Sequence, residues 1–222
     1  DIFVLESLKL DGKNTNMILN NMQYMLNELV ELELVELELD FVQANKESKI
    51  LDELLVKASS LEHLKISRSR GQGEIVKSVS FSNLKQLSLK DCHGFKYLFT
   101  PSTARMLVHL EEMYIVQCES MEEILAKEPN ETTPEAIKFE RLNTITLYSL
   151  SSLSCFYSSS VPLFLSSLIK VIIWKCPNMK IFSQGVIHAE SFSGIQVSLD
   201  SNEDLLFHQD LNTSVEEMVQ RR

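Results

Sequence analysis

Apolar residues recur along the chain in one spacing: leucine, two residues, leucine, one residue, leucine. It stands in "LESLKL" at residues 5 to 10 and returns in "LVELEL" from Leu29, "LEHLKI" from Leu61 and "LKQLSL" from Leu84. It continues in "LEEMYI" from Leu110, "LNTITL" from Leu142, "LIKVII" from Leu168 and, in weaker form, "FSGIQV" from Phe192. Successive starts are 24, 32, 23, 26, 32, 26 and 24 residues apart. Two apolar positions one residue apart point to the same face of a strand. The earlier leucine turns inward from the bend before it. One such strand cannot bury its apolar face alone. The pattern therefore predicts short parallel strands stacked over a shared core, with the chain returning on the outer side. Each inward leucine contributes about 1.5–3 kcal/mol when fully buried.

This period and spacing are those of a leucine-rich repeat. The expected fold is an α/β solenoid of seven to eight irregular repeats over residues 1–200, followed by a closing segment over 201–222. A curved parallel sheet would line its concave side, with short helices and loops on the convex side. Three repeats extend the motif to a cysteine in "LSLKDC", "MYIVQC" and "VIIWKC", which puts Cys92, Cys118 and Cys176 at one structural position. A thiol recurring there reads as core, a small hydrophobe with a weak donor for a turn carbonyl. Among the returns, "KILDELLVKAS" has helical leucine spacing. "TPSTARMLVHL" offers Thr100 as N-cap and Pro101 at the first helical position. The stretch "AKEPNETTPEAIKFE", with Pro129 and Pro134, reads as a loop filling one long interval. In "NTSVEEMVQRR", Thr213 and Glu216 spell a capping box for a short closing helix.

The tract "VELELVELELD" at 30 to 40 admits two registers, because its alternation changes phase at Leu34 and Val35. One buries Leu32 and Leu34 with Glu31 and Glu33 outside. The other buries Leu37 and Leu39 with Glu36 and Glu38 outside. The first puts Leu37 where cysteine stands in later repeats and is preferred. The slip between them requires a bend or bulge.

The 222 residues are 44% hydrophobic and 23% charged, the balance of a folded chain, with a formal net charge of -10. That sign, without lysine or arginine clusters, disfavours general binding to nucleic acid and to anionic membranes. No apolar run is long enough to span a bilayer. The first residues show no secretory pattern, and the missing initiator methionine suggests a piece of a longer protein. Without a secretory signal, the sequons at Asn130 and Asn212 are expected to stay unmodified. The four cysteines lack zinc or redox spacing, which suits a reducing, intracellular setting.

"FSNLKQLSLKDCHGFKYLFTPSTARMLVHLEEMYIVQCESMEEIL" and "LIKVIIWKCPNMKIFSQG" resemble the C-terminal leucine-rich region of plant coiled-coil nucleotide-binding disease-resistance proteins. "DLNTSVEEM" is similar to that family's closing motif. The resemblance is strongest over 81–182 and loosest before residue 60. It implies the recognition and regulatory part of an intracellular immune receptor. Such a region senses a pathogen effector or a host protein the effector modifies, and restrains an ATP/ADP switch domain. No phosphate-binding loop occurs among the six glycines, so nucleotide belongs to a parent protein. A free-standing repeat scaffold or substrate adaptor, for instance in ubiquitin ligation, is the competing reading.

Candidate chemistry is thin. Asp91, Cys92 and His93 adjoin, but neighbouring strand residues face opposite ways, and a core Cys92 is no exposed nucleophile. The histidines at 63, 93, 109, 188 and 208 make no metal motif. No catalytic residue, bound metal or cofactor of the chain's own is therefore expected. The candidate protein-binding surface is the outward side of the strands. It carries Ser7 and Lys9, then Glu31 and Glu33, His63 and Lys65, and Gln86, Ser88 and Lys90. Glu112, Tyr114 and Val116 follow, then Thr144, Thr146 and Tyr148, and finally Lys170, Ile172 and Trp174. The face thus passes from acidic and polar to aromatic and apolar. Tyr114, Tyr148, Ile172 and Trp174 can form one exposed patch. In the alternative reading Trp174, the only tryptophan, packs beneath a neighbouring loop.

Overall fold

Each Leu-x-Leu unit forms a five-residue strand, and the strands stack in unbroken parallel register. They are β1 (Ser7–Asp11), β2 (Glu31–Val35), β4 (His63–Ser67), β6 (Gln86–Lys90), β7 (Glu112–Val116), β10 (Thr144–Tyr148) and β13 (Lys170–Trp174). The weak eighth repeat supplies only β15 (Ile195–Gln196), and β16 (Leu205–Leu206) closes this nine-stranded sheet as an antiparallel edge. The computed structural model describes residues 5–12, 26–40, 46–72, 82–127, 135–197, 205–206 and 210–221. Pro129, Asn130, Pro134 and His208 lie outside them.

Register is locked at both ends of the strands. Before each strand, two successive amides donate to a single carbonyl of the previous repeat. Glu62 and His63 share Val30 O, Glu111 and Glu112 share Lys85 O, and Ile169 and Lys170 share Asn143 O. After each of the six long strands from β2 to β13 one residue turns left-handed: Glu36, Arg68, Asp91, Gln117, Ser149 and Lys175 all have φ between 49° and 56°. None is glycine, so each costs about 1–2 kcal/mol in backbone strain. Five of them return a hydrogen bond to the end of the next strand, from Glu36 N to Ser67 O at 3.1 Å through to Ser149 N to Trp174 O at 2.9 Å.

That turn sends the following residue inward. Leu37, Ser69, Cys92, Cys118, Leu150 and Cys176 therefore form one buried column. The Cys92 thiol lies 3.4 Å from Lys90 O, and the Cys176 thiol 3.4 Å from Leu147 O. Where serine replaces cysteine, Ser69 Oγ bonds to Leu37 N and Ser67 O. The leucines that open each motif, from Leu29 to Leu168, are buried beneath the sheet.

The first register of the tract at 30–40 is the one adopted, with Leu32 and Leu34 fully buried. Glu36 supplies the bend at φ 56°. The second half of the tract is also extended. It forms β3 (Glu38–Asp40), which pairs with β5 (Arg70–Gln72) in a lateral sheet. Gly71 is required there, because a Cβ would sit 1.8 Å from Leu39 O.

Among the described residues the returns carry the expected short helices. α1 (Lys46–Lys57) confirms the leucine spacing, with Leu54 and Leu55 buried; the Leu51 side chain lies outside the description. α2 (Pro101–Ala104) is one turn, with Thr100 at its N-cap in extended conformation but making no side-chain capping bond. Elsewhere among the described residues the returns hold a 3-10 turn at Leu26–Glu28 and short parallel ladders. β8 (Glu123–Leu125) pairs with β11 (Cys155–Tyr157), and β12 (Leu163–Phe164) joins β9 (Ile137–Lys138) to β14 (Ile187–His188). Phe156 stacks on Phe182 inside, with ring centroids 4.6 Å apart.

The closing helix α3 (Leu211–Gln220) corrects the expected capping box. Its N-cap is Asp210, whose carboxylate accepts from Thr213 N at 2.7 Å and Thr213 Oγ1 at 3.0 Å. Starting three residues earlier buries Leu211, Val215 and Met218 on one helical face. It also aims Asn212 at the stack. Asn212 Oδ1 accepts from Phe182 N at 2.9 Å and Ser183 N at 3.0 Å, while Nδ2 donates to Ser183 O at 2.8 Å. Its sequon amide is thus committed to the fold. Asn212→Ala should lower stability by about 1–3 kcal/mol by leaving these groups unpaired. Denaturant unfolding and faster amide exchange at Phe182 and Ser183 would register it.

Candidate functional site

Strand register arranges the outward side chains in three rows. The first runs Ser7, Glu31, His63, Gln86, Glu112, Thr144, Lys170. The second runs Lys9, Glu33, Lys65, Ser88, Tyr114, Thr146, Ile172, and the third Asp11, Val35, Ser67, Lys90, Val116, Tyr148, Trp174. Every residue assigned to this face by alternation lies on it. Most are half-buried and Ser7, Lys9 and Lys90 are exposed, but Val35 in the third row is buried and Thr146 is only 5% exposed. Its neighbours in the row, Tyr114 and Ile172, are much larger, so a central threonine is overshadowed. Thr146 Oγ1 is buried without a hydrogen-bond partner, which costs about 1–3 kcal/mol.

The early strands neutralise their own charges. Lys9 Nζ lies 2.7 Å from Glu33 Oε1, and Lys65 pairs with Glu31 across β2 and β4. Gln86 Nε2 and Tyr114 OH both donate to Glu112 Oε2, at 2.7 and 3.0 Å. Burial, and then the Glu112 carboxylate, push the Tyr114 hydroxyl above its ordinary pKa. The hydrogen bond from Lys65 and its charge hold the Glu31 carboxyl below the usual carboxylate range.

The late strands are different. Tyr148 and Trp174, adjacent in the third row, stack at 5.2 Å between centroids with planes 21° apart. Lys175 Nζ lies over both rings, 4.7 Å from the Trp174 centroid and 5.8 Å from that of Tyr148. Trp174 is half-buried by its strand neighbour and stays on the concave side. Tyr114 and Ile172 flank the pair one row away, so the expected patch spans three consecutive strands.

A profile described as plant disease resistance protein RPS2-like, leucine-rich repeats, matches residues 2–119 and again 58–189. The chain belongs to that family. No curated protein sequence matches it significantly.

In this RPS2-like repeat region the other sequence candidates separate cleanly. All four cysteines are free and buried. Contact with Cys92, together with burial, drives the Cys118 thiol far above its ordinary range. His93 is exposed while Cys92 is fully buried, so the pair shares no surface. His188 stacks on Phe164 at 4.3 Å on the convex side. Among the described residues no three histidine, cysteine or carboxylate side chains gather as a metal site.

Alternation did not reveal a groove of about 370 Å³ beyond Trp174, lined by Lys175, Pro177, Val197, Met218 and Arg221 among others. It joins the exit of β13 to the last turn of α3. Only the "WKCP" run hinted at it, by placing an exposed cation after the tryptophan.

Two outcomes follow. Thiol reagents should label the native chain slowly and the unfolded chain quickly, because reaction needs an accessible thiolate. Timed absorbance labelling with and without denaturant reads this. Glu31, with its pKa lowered in the fold, contributes stability above its unfolded pKa, and that contribution fades as pH falls through the lowered value. The pair is exposed and worth about 0.2–1 kcal/mol. Glu31→Gln should remove that small acid-side slope in denaturant titrations across pH.

Proposed function

We propose that this region recognises a protein on its concave face, either a pathogen effector or a host protein altered by one. Binding there regulates the nucleotide-binding switch of a parent immune receptor inside the cell, and the receptor's own nucleotide-binding domain is a further partner for the same surface. The supporting observation is the Tyr148–Trp174 stack on the open side of a rigid parallel sheet, with Tyr114 and Ile172 beside it. Leucine-rich repeats serve as protein-interaction modules. Large aromatics at the centre of an interface contribute most of its binding energy. Family membership and four buried free cysteines favour the intracellular receptor setting.

The mechanism is a shift of an off/on equilibrium. A partner that binds one receptor state more tightly populates it by that difference in affinity. No turnover by the repeats is involved.

Trp174→Ala and Tyr148→Ala should each weaken partner association by about tenfold or more while shifting the unfolding midpoint little. Co-precipitation with the full receptor and thermal unfolding of the repeat region measure the two. Losses that match in both assays would mean these rings support packing rather than recognition.

A further inference from the structure

The cations of the concave face fall into two groups. Lys9 and Lys65 are closed by carboxylates on β2. At the strand ends Lys85 and Arg68 are closed by Glu62 and Glu36, 2.8 and 3.3 Å away. Lys90, Lys170 and Lys175, by contrast, form no ion pair among the described residues. Strands β10 and β13 carry no carboxylate at all. On a chain of net charge -10, Lys170 and Lys175 make the last long strand and its exit locally cationic, against the composition.

The groove beyond Trp174 is continuous with that zone, since Trp174 and Lys175 belong to both. Pro177, Val197 and Met218 give it apolar walls, and its 370 Å³ accommodates one or two large side chains. Arg221 at its rim is paired with Glu217.

We propose that the late concave strands and this groove form one docking site for an acidic partner segment bearing an aromatic or large aliphatic anchor. The segment's carboxylates meet Lys170 and Lys175, and its anchor enters the groove against Trp174 and Met218. The inference rests on the concave-face reading above and adds the chemistry of the partner. A basic segment meets like charge at Lys170 and Lys175, which disfavours it. A polyphosphate is repelled by the net negative charge of the whole chain.

Charge reversal is a clean test because the fold already accepts it. Glu31 and Glu112 occupy the strand position of Lys170, and Glu36 the left-handed position of Lys175. A random-peptide display library is panned on the 222-residue chain and, in parallel, on the Lys170→Glu/Lys175→Glu variant. The expected enrichment is of acidic sequences around an aromatic or leucine, depleted at least about tenfold on the variant. A synthesised winner should alter the fluorescence of Trp174, the only tryptophan, and bind more weakly as salt rises. Failure to enrich any sequence, enrichment of neutral or basic peptides, or equal recovery on the variant would overturn the proposal. So would tighter binding of a single-stranded oligonucleotide probe than of the selected peptide. Association of the full receptor with its partner separates the two readings. If it survives charge reversal but not Trp174→Ala, only this inference falls. If it is indifferent to Trp174→Ala and Tyr148→Ala, the proposed function falls.

Discussion

After each of the six long concave strands from β2 to β13 the chain has one residue in which to leave the sheet and turn into the core. Six times that residue adopts left-handed backbone, and never is it glycine. The strain is held because the same amide donates to the following strand in five of the six turns. Much else depends on this turn. It delivers the buried column of leucine, serine and cysteine, ends each strand at five residues, and keeps seven strands in step. Without it, a strand with leucine at alternate positions could slide by two residues and still bury leucine.

That dependence explains what the sequence disclosed and what it hid. Strand positions follow from alternation, and alternation is local, so "LVELEL" and its relatives announced their faces. The cysteine column was legible because three repeats spell it, and Leu37 followed by analogy. The turn at Glu36 showed only as a phase slip in "VELELVELELD". The lateral ladders were not legible, since two-residue strands such as Leu163–Phe164 carry no alternation. The start of α3 was misread because Thr213 and Glu216 spell a capping box by themselves. Burial of Leu211 and the reach of Asn212 decide instead for Asp210, and both are tertiary facts. The groove joins residue 174 to residue 221, a proximity no local pattern encodes.

One scaffold carries two surface chemistries. Early strands pair acid with base across neighbouring rungs and leave little net field. Late strands set aromatic rings beside lysines that form no ion pair among the described residues. Because the rungs are equivalent in backbone, side-chain choice alone creates this gradient. Substitution at an outward position therefore changes surface chemistry with small effect on the stack, as the exchange of lysine and glutamate between equivalent positions illustrates.

The Asn212 amide has a further consequence. A sheet edge normally displays bare N–H and C=O groups that template strands from other molecules. At Phe182 and Ser183 a side-chain amide imitates the next rung, with acceptor and donor both in place. That edge is chemically satisfied by a group that itself offers no continuing strand. The lateral ladder there is terminated against growth, and this corner of the molecule is protected from the edge-to-edge aggregation to which stacked strands are prone.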